Sequence, residues 1–250
     1  MAKKSATKSK RQLIREQRIK KTQRQRLITI LAVVGVALIV AAVLIGPSLR
    51  SSLAPVGEIF EIEPHERPFV DGRAMGLADA PVLVEVWEDF QCPACKDYTE
   101  EVEPLIAETY VANGDVRYVF RQFPFLDGQS ATKESQKSAN ASMCASEQER
   151  FWDYHDMLFA NWDGENRGSF SDKRLTAFAE TIVLDMEAFD KCFDDNTYKA
   201  EIDADKNNGI QLGVTGTPSV FVNGQAITPG FVPSFQEVSV AIDAELAALQ

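Results

Sequence analysis

The chain has 250 residues, 45% of them hydrophobic, with four Cys and 26 Lys+Arg against 37 Asp+Glu. That is apolar material for one or two packed domains, which excludes a wholly disordered protein, and too few cysteines for a disulfide-dense mini-scaffold. The net charge of −11 argues against a nucleic-acid partner, yet it averages two unlike parts: residues 1–26 hold 11 Lys+Arg and one acid, Glu16, and the remainder holds 15 Lys+Arg and 36 Asp+Glu.

Between these charge blocks, Leu27 to Gly46 carries no charged side chain, and Thr29 is its only polar one. Its twenty residues, at about 1.5 Å each, span roughly the 30 Å of a bilayer's hydrocarbon core. A buried core helix is the bland alternative, disfavoured because the segment is apolar on every face and lies beside a solvated basic arm. A cleaved signal peptide would have a shorter apolar stretch and a better small-residue site than Gly46-Pro47-Ser48. The expectation is an uncleaved signal anchor over 27–46, with the N-terminus cytoplasmic by the positive-inside rule and the rest outside a bacterial membrane. The basic arm, 1–26, has no aromatic residue to stack on a base, so topology and anionic lipid account for it better than RNA does. Residues 47–67, with Pro47, Pro55 and Pro64, read as a tether containing one short strand, Glu58–Ile62, ahead of a domain over 68–250.

In that domain Val82–Trp87 is β-branched and aromatic, a strand entering a core. A helix is expected after Phe90-Gln91-Cys92-Pro93-Ala94-Cys95, running to about Ala112 with Val102, Leu105, Ile106 and Tyr110 at helical spacing. Asn113-Gly114 stops it, and Val116–Phe120 makes a second strand, giving the parallel crossover of α/β proteins. Residues from about 130 to 212 read as a helical insertion with breaks near 161–172 and 194–196, and Ser171 is a candidate N-cap. Ser219–Val222, Asn223-Gly224 and Gln225–Thr228 read as a hairpin, and Pro233–Leu249 as a closing amphipathic helix.

Cys92 and Cys95 sit where strand hands over to helix. Unpaired N–H groups and the helix dipole stabilise an anion there, so a thiolate at Cys92 is favoured and attacks disulfides at neutral pH. Cys95, one turn further in, is placed to close the intramolecular disulfide and release a bound partner. Pro93 suits a first helical turn, where its missing N–H has no acceptor to lose. Zinc is the competing reading, but Cys144 and Cys192 are far apart in sequence and no second close pair exists. No phosphate-binding loop or metal cluster calls for a cofactor.

The runs DFQCPACKDY, CASEQERFWDYHDMLFANW and GVTGTPSVFVNG, in that order, resemble the DsbA-like branch of thioredoxin-fold oxidoreductases over about residues 68–249. The resemblance implies an α/β thioredoxin fold with a helical insertion, preceded here by one transmembrane helix, and thiol–disulfide exchange with Cys92 as the exposed nucleophile and Cys95 as its buried partner. It also implies that Pro218 is a cis-proline facing Cys92, which presents the backbone of Thr217 to a substrate peptide. Pro93 and Ala94 support the pair. Cys144 and Cys192 are left as two buried thiols, a second redox relay or, favoured by pairing in an oxidising compartment, a structural disulfide across two insertion helices. Trp152 and His155 fall in a family block and are expected to pack rather than catalyse.

Two departures concern the redox poise. Pro93-Ala94 brings no histidine to the thiolate, and Glu88 and Asp89, if close, disfavour the anion. The buried acid that the family carries six residues before the nucleophile is Val86 here; Glu88 lies on the same strand face and is its candidate substitute. The function expected is a membrane-anchored, extracytoplasmic enzyme forming disulfides in reduced exported proteins and reoxidised by a quinone-linked membrane oxidase. The alternatives are a reductase or isomerase on the same fold, or a peptide-binding chaperone module without turnover.

Overall fold

A computed structural model describes residues 10–53, 56–62, 65, 67–128, 130–228 and 231–249. The chain divides into two units, Met1–Arg50 and Ser51–Gln250. In the first, α1 is one helix, Lys10–Leu53. Its stretch Gln23–Leu44 has a mean hydropathy of 3.1 and is not buried against protein. Leu31, Val36, Leu38 and Ile39 all stand exposed on it. The helix continues past Gly46-Pro47 to Leu53, so the tether expected from residue 47 begins as helix. The start of the basic arm, residues 1–9, lies outside the described residues.

The second unit is built on a five-stranded sheet: β1 (Ala74–Met75), β2 (Val82–Glu88), β3 (Val116–Gln122), β4 (Ser219–Val222) and β5 (Gln225–Ile227), in the order β1-β3-β2-β4-β5. Only β2 and β3 run parallel, with Val84 opposite Tyr118 and Glu88 opposite Gln122. Alternation along β2 sends Val82, Val84, Val86 and Glu88 to one face and Trp87 to the other. The first face meets the larger core. On the second, Trp87 packs edge-on to Phe221 at 4.9 Å and donates its indole N–H to the carbonyl of Asp205 at 3.2 Å. Gly209 is required there, since a Cβ at that position would fall 2.7 Å from the Trp87 ring.

The helix expected from 93 to 112 is broken into α2 (Pro93–Glu101), α3 (Glu103–Ile106) and a π-turn, Ala107–Val111. Pro104 lacks the N–H that would carry the α2 ladder through Val102. The insertion comprises α4 (Glu134–Ser146), α5 (Phe151–Ala160), α6 (Asp172–Thr181), α7 (Met186–Asp194) and α8 (Lys199–Gln211); α9 (Phe235–Ala247) closes the chain. Breaks at 147–150 and 182–185 add to the two expected. Ser171 holds the N-cap backbone of α6, but its side chain makes no capping bond. Asp185 caps α7 by accepting from Glu187 N and Ala188 N at 3.0 and 3.2 Å, and Ser234 with Glu237 forms a capping box on α9. Cys144 of α4 is disulfide-bonded to Cys192 of α7, with their Cα atoms 5.8 Å apart.

Glu58–Ile62 is not a strand. Asn161 substitutes for one: Phe60 N–H donates to its Oδ1 and its Nδ2 donates to Phe60 O, both at 2.9 Å. A side-chain amide offers the same donor–acceptor pair as a peptide group, so the segment is held by one residue instead of a ladder. Arg174 adds bonds to Val56 O at 2.6 Å and Glu58 O at 3.1 Å. Arg67, whose side chain is only 4% exposed, ion-pairs with Glu103 and Asp156, each at 2.7 Å. The end of the expected tether is therefore part of the domain's packing.

Candidate active site

Four residues, 89–92, turn the chain from β2 into α2. Cys92 is the N-cap (φ −81°, ψ 120°), and its carbonyl accepts from Cys95 N and Lys96 N at 3.1 and 3.2 Å, while Pro93 occupies the first turn. Cys92 N–H donates to Asp89 O at 2.9 Å. The Asp89 carboxylate is committed to the backbone, accepting from Gln91 N at 2.9 Å, Phe125 N at 2.9 Å and Leu126 N at 3.0 Å. Its expected repulsion is not among the leading influences on the Cys92 sulfur. Gln91 ties the turn to the insertion: its carbonyl accepts from Trp162 Nε1 at 2.8 Å and its Nε2 donates to Ser135 Oγ at 2.7 Å. These two residues position the turn. The sequence hid them because their partners lie 36 to 71 residues away.

Cys92 and Cys95 are both unbridged thiols. Cys92 is 6% exposed and Cys95 is fully buried, so the nucleophile expected to be exposed is shallowly buried instead. Its sulfur turns inward to the loop before β4, where the Thr217–Pro218 peptide is cis and Thr217 O lies 3.3 Å from Cys92 Sγ. The Thr217 hydroxyl is buried with no hydrogen-bond partner.

The Cys92 thiol is lowered to about 6. The largest cause is a hydrogen bond from the Cys95 thiol; burial opposes it, and Thr217 with the N–H groups of Cys95 and Ala94 reinforces it. The helix-end N–H groups thus contribute, as expected, but rank behind the second cysteine. Burial pushes Cys95 well above the ordinary thiol range, helped by Cys92 and by the charge of Glu88. Glu88 is fully buried beside this pair, and burial holds its carboxyl well above the usual carboxylate range, with Glu103 and Cys92 adding repulsion. One sulfur is easily ionised, while burial disfavours ionisation of its neighbour and of the carboxyl beside it. That arrangement suits thiol–disulfide exchange, in which the thiolate is the attacking species.

Cys144 and Cys192, bonded to each other, are removed from any four-cysteine metal site. Trp152 and His155 pack as expected. The imidazole lies edge-on to Phe90, Phe120, Trp152 and Phe159 at 4.9–5.8 Å, and Trp152 Nε1 donates to Ala74 O at 3.3 Å.

Residues 70–244 match the model of a family described as thioredoxin. The chain belongs to this family, as a DsbA-like thiol–disulfide oxidoreductase. Over 178 residues it is 30% identical to the probable disulfide bond formation protein D of Bacillus cereus, covering 70% of this chain and 78% of that protein. BdbD from Bacillus subtilis, in its oxidised crystal structure, superposes with a TM-score of 0.63 over 76% of this chain and all of that one; at 23% identity this likeness concerns the fold. The α-DsbA1 structure from Wolbachia pipientis gives 0.60 at 25% identity, over 74% of this chain and 97% of that one. In a thiol–disulfide oxidoreductase of this branch, the strand-to-helix turn, the cis peptide at Pro218 and the insertion over 134–211 take the positions that the three sequence runs implied.

Proposed function

We propose that this oxidoreductase is anchored by α1 in a bacterial cell membrane, holds its second unit outside the cytoplasm, and forms disulfides in exported proteins. The observation that carries the oxidising direction is the contrast between Cys92, lowered to about 6, and Cys95, held protonated. Stabilising the Cys92 thiolate stabilises the reduced enzyme, and a pair with a stabilised reduced form gives up its disulfide readily.

In the proposed cycle a substrate thiolate attacks Cys92 Sγ of the Cys92–Cys95 disulfide. A new S–S bond joins substrate to Cys92, and the electron pair of the broken bond leaves on Cys95, which takes a proton from Glu88. A second substrate thiolate then attacks the substrate sulfur of the mixed disulfide. The substrate leaves oxidised and Cys92 leaves as its thiolate. Thr217, beside the cis peptide, offers backbone to the bound peptide, and Pro93 and Ala94 shape the helix start. A quinone-linked membrane oxidase removes the two electrons. Cys144–Cys192 stays out of the cycle as a structural bridge.

Equilibrating the full chain in detergent micelles with glutathione buffers tests the direction. An oxidising enzyme should show a potential above about −180 mV, whereas a value near the thioredoxin level of about −270 mV would make it a reductase. Protease added to intact spheroplasts tests the topology, since residues after α1 should be digested from outside. Retention of activity by Cys92→Ser would instead favour a chaperone without turnover.

A further inference from the structure

The loop that brings Thr217 to Cys92 is thinly held. At its start Val214 is anchored: its side chain is buried with Trp87, Phe123 and Phe221, and its N–H donates to Gly209 O at 2.9 Å. At its end Ser219 opens β4 opposite Trp87 of β2. Between these anchors Thr215 is exposed, and a Cβ added at Gly216 would meet no atom within 4 Å. Pro218 has no N–H to give, and among the described residues the N–H groups of Thr215, Gly216 and Thr217 donate to nothing in the fold.

Among the described residues, two hydrogen bonds reach residues 215–218. Cys92 Sγ donates to Thr217 O at 3.3 Å, and the Ser219 hydroxyl reaches back to donate to Gly216 O at 2.7 Å. The first depends on a proton that the chemistry removes. A carbonyl oxygen only accepts, so a thiolate at Cys92, a Cys92–Cys95 disulfide or a mixed disulfide offers it nothing, and the thiolate repels it. The second bond depends on no titrating group, and the Ser219 proton is present in every state of the cycle.

We propose that Ser219 is a positioning residue for thiol–disulfide exchange: its hydroxyl holds Gly216-Thr217 beside Cys92 through the states in which that sulfur has no proton to donate. These are the states in which a substrate peptide arrives, is bound covalently and departs. With Gly216 O fixed, the Thr217 N–H and the Thr217 carbonyl, released from the sulfur, are presented together for strand-like pairing with the peptide. Ser219 makes and breaks no bond to sulfur, and its substitution leaves both thiols in place. The proposal rests on the reading of Thr217 as the backbone that the peptide contacts.

Nitrogen-15 relaxation of the full chain in micelles, labelled at glycine and threonine, reads the holding. At about pH 5 the oxidised form has no Cys92 proton, whereas in the reduced form the thiol, lowered to about 6, is largely protonated. In the wild type the Gly216 and Thr217 order parameters should stay near about 0.85 in both forms. In Ser219→Ala they should drop below about 0.6 in the oxidised form and hold in the reduced form. Ser219→Thr, which keeps the hydroxyl, should match the wild type. In turnover with a reduced dithiol peptide and glutathione disulfide, Ser219→Ala should raise KM about fivefold with kcat within about twofold, and Ser219→Thr should restore it. Ser219 is half-buried at the end of a paired strand, so the alanine variant should fold. Loss of order in oxidised Ser219→Ala with KM unchanged supports the holding and removes Thr217 from peptide contact. Wild-type order in that form overturns the proposal, as does equal loosening in both redox forms.

Discussion

Cys92 Sγ lies 3.3 Å from the carbonyl oxygen of Thr217, a residue 125 positions later in the chain. The protonated thiol donates to that oxygen, whereas the thiolate needs donors, and these are the Cys95 thiol, the Thr217 side chain and the first N–H groups of α2. With Cys92 lowered to about 6, alkylation of the reduced enzyme by iodoacetamide should be half-maximal near pH 6. The rate should fall below that pH as the thiolate is protonated, and level off above about pH 7. Thr217→Val should move the midpoint toward the free-thiol value. Mass spectrometry should find one adduct, since Cys95 stays buried and protonated.

The cysteine turn, the β2–β3 crossover, the closing hairpin and the α4–α7 bridge were legible because each rests on local pattern or on cysteine parity. What stayed hidden depends on partners remote in sequence. Asp89 reads as an acid near a thiolate until its carboxylate is seen to accept from Phe125 and Leu126. Glu58–Ile62 has strand composition, but its partner is the side chain of Asn161. Strand alternation placed Glu88 on the core face; it could not show that Glu103, on a separate short helix, approaches it.

Arg67, Glu103 and Asp156 form a buried charge cluster with Arg67 also 4.6 Å above the Trp152 ring. Removing one partner strands the others, so Arg67→Met should cost about 3–5 kcal/mol in urea unfolding. Burial works against the Asp156 carboxylate, yet bonds from His155 and Arg67 hold it well below the usual range. A depressed carboxylate stabilises the fold above its unfolded value near 4, and that contribution is lost as pH falls below it. The wild type should therefore lose stability between about pH 4 and pH 2 more steeply than Arg67→Met.

The Cys144–Cys192 bridge spans 48 positions. In the chain-entropy account a loop of that size contributes about 4 kcal/mol, so the double Cys144→Ala, Cys192→Ala variant should unfold at lower urea by roughly that amount. Its exchange activity under native conditions should persist, since neither sulfur joins the Cys92 site. Loss of activity in a variant shown to be folded would assign the bridge a redox part.

Asn161→Leu removes both bonds to Phe60 and should cost about 1–3 kcal/mol, because two backbone groups lose their partners. Limited proteolysis should then cut near Phe60 faster than in the wild type. Peptide oxidation should be unaffected.

The placement of the structural bridge bears on self-attack. Every molecule of this enzyme carries a weapon against S–S bonds, and every other copy presents one to it. Cys144 is sealed from solvent, so a thiolate from another copy has no approach to that sulfur, and Cys192, 5% exposed, lies no more open than Cys92 itself. Protection from its own kind thus begins with ordinary close packing between α4 and α7.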